Sequence, residues 1–346
     1  MLFKVAKLSQ LARFDEIIDV RSPAEFAEDH LSGAINCPVL DDEERIRVGT
    51  LYKQVSPFEA RKLGAALVAQ NIARHLQQHF HDKPKSWKPL IYCWRGGQRS
   101  ASMAIILSQI GWDTHQLEGG YKTYRHQVLD DLAQLPGTLR LKVICGPTGS
   151  GKSRLLQALQ RNGKQVLDLE ALACHRGSVL GRLPDQPQPS QKWFDSQLRQ
   201  AILQLDPARP VFIESESRKI GMLSLPDSLF ARMHASACLT MEVPLSERVR
   251  FLQEDYHFYL QEPQRLITQL GFLKAVHSRE QLQLWQQMIV EGQFAHLVEQ
   301  LLIQHYDPLY FRSMNRHYTH LQQSEQLSVP GLSPSLLDAV AATLRE

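Results

Sequence analysis

Two stretches of this chain gather residue types that do chemistry on anions: Cys93-Trp94-Arg95-Gly96-Gly97-Gln98-Arg99-Ser100 and Gly146-Pro147-Thr148-Gly149-Ser150-Gly151-Lys152-Ser153. In the first, a cysteine closes a short apolar run and is followed by two glycines between arginines. Backbone N–H groups in such a turn face inward and the following helix adds positive potential, so the turn can stabilise a thiolate and an oxyanion above it. The cradle matters because an ordinary thiol, with a pKa of about 8.5, is only about 3% ionised at pH 7. Cys93 is therefore the expected nucleophile, able to accept sulfur or selenium. Arg95 flanks it, and Arg99 is placed to brace the loop or the bound oxyanion.

The second stretch matches G-x4-G-K-S in full, directly after an apolar strand pattern and before a helical one, which is the context this phosphate loop requires. The backbone of Gly146, Thr148, Gly149, Ser150 and Gly151 should cradle a diphosphate, with Lys152 neutralising it and Ser153 placed to hold Mg²⁺. Glu214 and Glu216 end a later apolar run, where P-loop proteins put a carboxylate that organises metal or water. Asp168 and Glu170 end the strand before it. Arg176, in the loop His175 to Arg182, would face the phosphate site of an open parallel sheet and clamp phosphate or touch RNA. Cys174 beside His175 is too little for zinc, which wants three or four ligands. No Asn-Lys-x-Asp guanine-reading motif occurs, so a GTPase is disfavoured; the loop specifies a phosphate and no base.

The elements needed to hold these loops follow from the hydrophobic pattern. A chain of 346 residues exceeds one domain of roughly 100 to 200 residues. Short strand patterns at 16–20, 34–38, 90–93 and 114–117 alternate with helical ones at 23–30, 57–80, 100–110 and 121–135. Pro136-Gly137 is the expected boundary, separating a domain at 1–135 from one at 137–346. In the second domain, strands at 139–145, 165–169, 210–214 and 237–243 separated by helices indicate a largely parallel sheet. Beyond Ser246 the pattern is helical almost throughout. The Pro- and Gln-rich segment 184–191 reads as a mobile loop.

Composition bounds the partners. A net charge of +3 means that an RNA surface must come from local clustering of cations. Arg176, Arg182, Arg218, Lys219, Arg248, Arg250, Arg312 and Arg316, with His317 and Tyr318, are the candidates. Five widely spaced cysteines fit reduced thiols and a cytoplasmic setting; of these Cys37, Cys145 and Cys238 read as core. No run approaches the ~20 apolar residues of a membrane helix, so no membrane association is expected.

Asp19-Val20-Arg21-Ser22-Pro23-Ala24-Glu25-Phe26, followed by His30, Gly33-Ala34-Ile35-Asn36 and Pro38, resembles the N-terminal signature of rhodanese domains, and Cys93 falls where their catalytic cysteine does. The five residues between Cys93 and Arg99 match the longer loop of rhodanese-like phosphatases and suit a bulkier anion than a sulfane sulfur. Adding Gly49-Thr50-Leu51-Tyr52-Lys53, Ser56 to Gly64, the P-loop and Glu214-Ser215-Glu216-Ser217-Arg218-Lys219-Ile220-Gly221, nearly the whole chain resembles the bacterial tRNA 2-selenouridine synthase family. The resemblance implies an α/β chain with an N-terminal rhodanese-like domain, then a P-loop NTPase-like parallel-sheet domain with a helical C-terminal region. It implies a tRNA-modifying transferase that turns wobble 2-thiouridine into 2-selenouridine, through S-geranyl-2-thiouridine made from geranyl diphosphate, with selenophosphate as selenium donor. Acceptor tRNAs for Lys, Glu and Gln, and an enzyme supplying selenophosphate, are implied in the same way. The loops alone leave two other readings open: a P-loop kinase or NTPase with a rhodanese regulatory module, and a rhodanese-type sulfurtransferase or phosphatase.

Overall fold

The alternating apolar runs build two five-stranded sheets, each parallel throughout, in a computed structural model that describes residues 3–178, 180–183, 186–318 and 320–345. The chain divides into two units: Met1–Asp131 with Asp195–Gln200, and Leu132–Phe194 with Ala201–Glu346.

In the first unit, β1 (Lys4–Ala6), β2 (Glu16–Asp19), β3 (Ala34–Asn36), β4 (Pro89–Tyr92) and β5 (His115–Leu117) lie in the order β1-β5-β4-β2-β3. Central β4 is buried at every position, as a strand covered on both faces must be. Its Ile91 packs with Ile18, Ile72, Phe80 and Met103. The helix Asp42–Gln54 carries no clear apolar stripe, yet its start is marked by a capping box: Glu44 N–H donates to Asp41 Oδ1 at 2.8 Å, and Asp41 N–H to Glu44 Oε2 at 2.9 Å.

The Asp19-Val20-Arg21 signature has a structural duty. The Arg21 guanidinium, 1% exposed, donates to Asp19 Oδ2 at 2.6 Å and to the Asp29 carbonyl at 2.6 Å, and lies 4.0 Å from the Tyr121 ring centre. Tyr121 O–H donates to Asp29 Oδ2 at 2.7 Å, so the same knot holds the chain just past β5.

In the second unit, β6 (Arg140–Cys145), β7 (Gln165–Leu167), β8 (Pro210–Glu214), β11 (Ala237–Glu242) and β12 (Glu325–Ser328) lie in the order β12-β11-β6-β8-β7, while β9 (Lys219–Ile220) and β10 (Leu223–Ser224) form a small antiparallel ribbon. Central β6 delivers the P-loop to the helix Lys152–Arg161. Ile144, Leu155, Phe212, Met241 and Leu332 share its core. β12 departs from the helical reading of the C-terminal region: Glu325-Gln326-Leu327-Ser328 has no apolar run, and only its pairing with β11 makes it a strand. The remaining helices pack around Leu270, Trp285, Met288, Leu297 and Leu301.

Two expectations change. Residues 184 and 185 of the Pro- and Gln-rich segment lie outside the described residues, but the rest is tied down rather than loose. Gln188 Nε2 donates to Ile220 O at 2.9 Å, its Oε1 accepts from Met222 N–H at 2.8 Å, and Ser190 caps the helix Gln191–Leu203. Arg248 is no surface contact for RNA; it is 5% exposed. Among the described residues no helix is long and apolar enough to cross a membrane.

Removing Arg21 would leave Asp19 charged, buried and unpaired, which costs about 3–5 kcal/mol. Arg21→Ala should lower the urea midpoint of the first unit's unfolding by a corresponding amount; a shift within error would show that the knot carries no stability.

Candidate functional site

β4 ends one residue before Cys93, which is 3% exposed. Its sulfur accepts the Gly97 N–H at 3.3 Å and the Ser100 O–H at 3.1 Å, and Ser100 Oγ accepts from Gln116 Nε2 at 2.7 Å. The helix Gln98–Ile110 starts immediately after Gly97, so its positive end faces the sulfur. Gly120, at φ +61°, lies against the Cys93 carbonyl and Gly96 nitrogen where any Cβ would collide.

The two arginines of this loop divide their work. Arg99 donates to both Glu25 oxygens, at 2.6 and 3.3 Å, and so braces the loop against the helix Pro23–Glu28. Burial pushes the Glu25 carboxyl up, but Arg99 outweighs it and holds it below the usual range. Arg95 is exposed and has no ion pair among the described residues, which leaves its charge available to an incoming anion.

In the P-loop, Gly149 and Gly151 take φ of +81° and +75°, and Lys152 Nζ donates to Gly146 O at 2.9 Å. Ser153 O–H donates to Glu170 Oε2 at 2.7 Å, and Glu170 N–H to Glu214 Oε1 at 2.8 Å. Glu214 is fully buried and its Oε2 has no hydrogen-bond partner among the described residues. Burial, then the charges of Asp168, Glu170 and Glu216, push it well above the usual carboxyl range. Burial and then Glu170 push Glu216 up to about 8, with Lys152 opposing. A Cβ on Gly177 would lie 2.5 Å from Glu216 Oε2, so the loop around Arg176 closes on that carboxyl only because residue 177 is glycine.

Two residues that the sequence did not assign to this site complete it. The Gly146 N–H donates to the Tyr310 hydroxyl at 2.6 Å, and the Tyr310 ring centre lies 5.9 Å from Lys152 Nζ. Arg248 donates to Thr148 O at 2.7 and 2.9 Å and to both Asp307 oxygens at 2.6 and 2.9 Å. Arg176, expected to clamp phosphate, is engaged by the carboxylate and carbonyl of Asp255 and lies over the Tyr256 ring. Among the described residues no group of three or more His, Cys, Asp or Glu could hold a metal.

An open apolar cavity with Thr148 in its wall runs among the C-terminal helices, lined chiefly by Leu252, Tyr256, Leu266, Phe294, Leu297 and Tyr306. An anion cradle and an apolar slot thus share the residue Thr148. Of the candidate RNA contacts, Arg218 is paired with Asp227 and Arg250 with Glu247, whereas Arg312 and Arg316 are exposed and unpaired among the described residues.

Residues 4–127 match the model of the rhodanese-like domain, and residues 139–288 that of the tRNA 2-selenouridine synthase AAA domain. A tRNA 2-selenouridine synthase of Alcanivorax borkumensis is 33% identical over 334 residues, covering 87% of this chain and 90% of that protein. The chain belongs to the tRNA 2-selenouridine synthase family. The synthase of Shewanella halifaxensis is 34% identical over 85% of this chain and 87% of its own length. That of Nitrosomonas europaea is 40% identical over 69% of this chain, which spans only 63% of that relative. In this member of the synthase family the matched models contain the cysteine loop, the P-loop and the buried carboxylates, while Tyr310, Arg312 and Arg316 lie beyond both.

Glu216 gives this synthase-family chain a stability that falls with pH. The folded state keeps the proton up to about 8 while the unfolded chain releases it near its ordinary value of 4.5, so stability is full below 4.5 and is lost as pH rises toward 8. Glu216→Gln has no proton to lose, so its melting temperature should fall less than the wild type's across that window. Parallel melting curves for the two proteins would refute the assignment.

Proposed function

We propose that the chain converts 2-thiouridine in tRNA to 2-selenouridine in two stages, first S-geranylation and then exchange for selenium. Family membership supports the overall conversion. The observation that carries the first stage is an apolar cavity whose wall includes Thr148 of the P-loop, since a prenyl diphosphate pairs an anionic end with an apolar one. Burying the ten carbons of a geranyl tail contributes roughly 8 kcal/mol at about 0.8 per carbon.

In this reading the uridine sulfur attacks C1 of the geranyl group, the C1–O bond breaks, diphosphate departs into the Lys152 cradle, and the N3 proton of the base is released. Lys152 neutralises the charge that develops on the leaving group. Mg²⁺, if used, would be held by Ser153 and Glu170 together with diphosphate oxygens, since Mg²⁺ commonly takes one or two protein oxygens and completes its shell with phosphate and water. Alkylation makes the sulfur a better leaving group than a thiocarbonyl. Selenophosphate held over Cys93 then attacks C2 through its selenium; the C2–S bond breaks to release geranylthiol, and water cleaves the P–Se bond, so that phosphate leaves and the two protons of water go to the thiol and to N3. Arg95 is the cation available to the selenophosphate, while Arg99 keeps the loop in shape. Substrates in this reading are 2-thiouridine-bearing tRNAs for Lys, Glu and Gln, and an enzyme making selenophosphate is the natural supplier.

Cys93→Ala should abolish selenation and let S-geranyl-2-thiouridine accumulate, measured as nucleosides released from tRNA; full selenation by this variant would refute a role for Cys93 in the second stage. Lys152→Ala should slow geranylation by about 10²- to 10³-fold, the usual loss for one group stabilising developing charge. ATP hydrolysis indifferent to Cys93, with no change in the tRNA, would instead indicate a P-loop NTPase.

A further inference from the structure

The helix Asp307–His317 has two faces with separate duties. Asp307, Tyr310 and Met314, at helical spacing, point inward: Asp307 to Arg248, Tyr310 to the Gly146 N–H, and Met314 into the core. Residues turn by about 100° each along a helix, which puts positions 312, 315 and 316 on the side opposite Tyr310. These are Arg312, Asn315 and Arg316, all exposed, with Phe311 beside them at 51% exposure.

Neither the Arg312 nor the Arg316 side chain has an ion pair or hydrogen bond among the described residues. Arg176, Arg218, Arg248 and Arg250 are each held by a carboxylate. No aspartate or glutamate occurs anywhere from Pro308 to Ser324. An ordinary solvated helix face mixes both signs. Cations left unpaired at i and i+4, in an acid-free segment beside an exposed aromatic ring, suit a polyanion whose bases can stack. The inner face of the same helix touches the P-loop, so a nucleic acid lying on the outer face is one helix diameter, about 10 Å, from the diphosphate cradle.

We propose that Arg312, Arg316 and Phe311 form an RNA-docking surface, with the two arginines on phosphates and Phe311 against an unstacked base. The proposal rests on tRNA being the substrate and names the surface that receives it.

The test uses the full chain and 2-thiouridine tRNA, with affinity followed by fluorescence anisotropy from about 50 to 200 mM salt. The double variant Arg312→Gln/Arg316→Gln should bind at least tenfold more weakly at low salt, with the salt slope reduced by about 1.5, as expected for two lost phosphate contacts. Phe311→Ala should weaken binding and leave the slope unchanged. All these variants should bind geranyl diphosphate like the wild type in the absence of RNA. Unchanged tRNA affinity and slope in the double variant, with normal binding by the wild type, overturns the surface alone. No tRNA binding by the wild type overturns the tRNA reading and the surface with it. Poly-glutamate competing as well as RNA of equal charge, with no effect of Phe311→Ala, would mark an acidic protein as the occupant and also overturn the proposal.

Discussion

One guanidinium ties together the chemistry of the second unit. Arg248 is almost fully buried, and it holds the Thr148 carbonyl inside the P-loop and the carboxylate of Asp307 at the start of a helix far along the chain. Taking a charge out of water costs several kcal/mol before any partner is found. What it secures is position. The P-loop is held at its middle, Tyr310 follows one turn after Asp307, and Leu252, one turn after Arg248, forms a wall of the apolar cavity. P-loop, apolar cavity and outer cationic face are therefore referenced to a single side chain.

The first unit uses the same economy with different partners. Arg21 is satisfied by Asp19 and the Asp29 carbonyl beneath the Tyr121 ring, and Tyr121 N–H in turn donates to the Cys93 carbonyl at 2.8 Å. The knot thus reaches Cys93 through its backbone without touching its sulfur. In both units the working loop leaves the carboxyl end of a central parallel strand, where adjacent backbone N–H groups and a helix start converge on an anion.

Local order was legible in the sequence wherever chemistry and structure share a short window. The cysteine loop, the P-loop, the strand Pro210–Glu214 and the parallel character of the second sheet follow from motif spacing and apolar runs. What was not legible depends on distant partners. Arg248 looks like any helix-surface arginine until Asp307 is brought beside it, and Tyr310 lies 164 residues from the Gly146 N–H that it accepts. Gln116, which supports Ser100 under the sulfur, sits on a strand that pattern analysis places but cannot aim. β12 is polar at nearly every position, and only a neighbour's hydrogen bonds make it a strand. The Pro- and Gln-rich segment is a loop as read, but the Gln188 side chain bonds backbone groups of Ile220 and Met222, which composition does not show.

The Lys152–Gly146 hydrogen bond bears on selectivity. The bond uses one of the three ammonium donors and fixes the direction of the other two, so a ligand meets a pre-aimed pair of charged N–H groups. A polyphosphate group can bring several charged acceptors to them at once, whereas a small singly charged anion brings few. The loop is therefore built to discriminate by charge density before the cavity discriminates by shape.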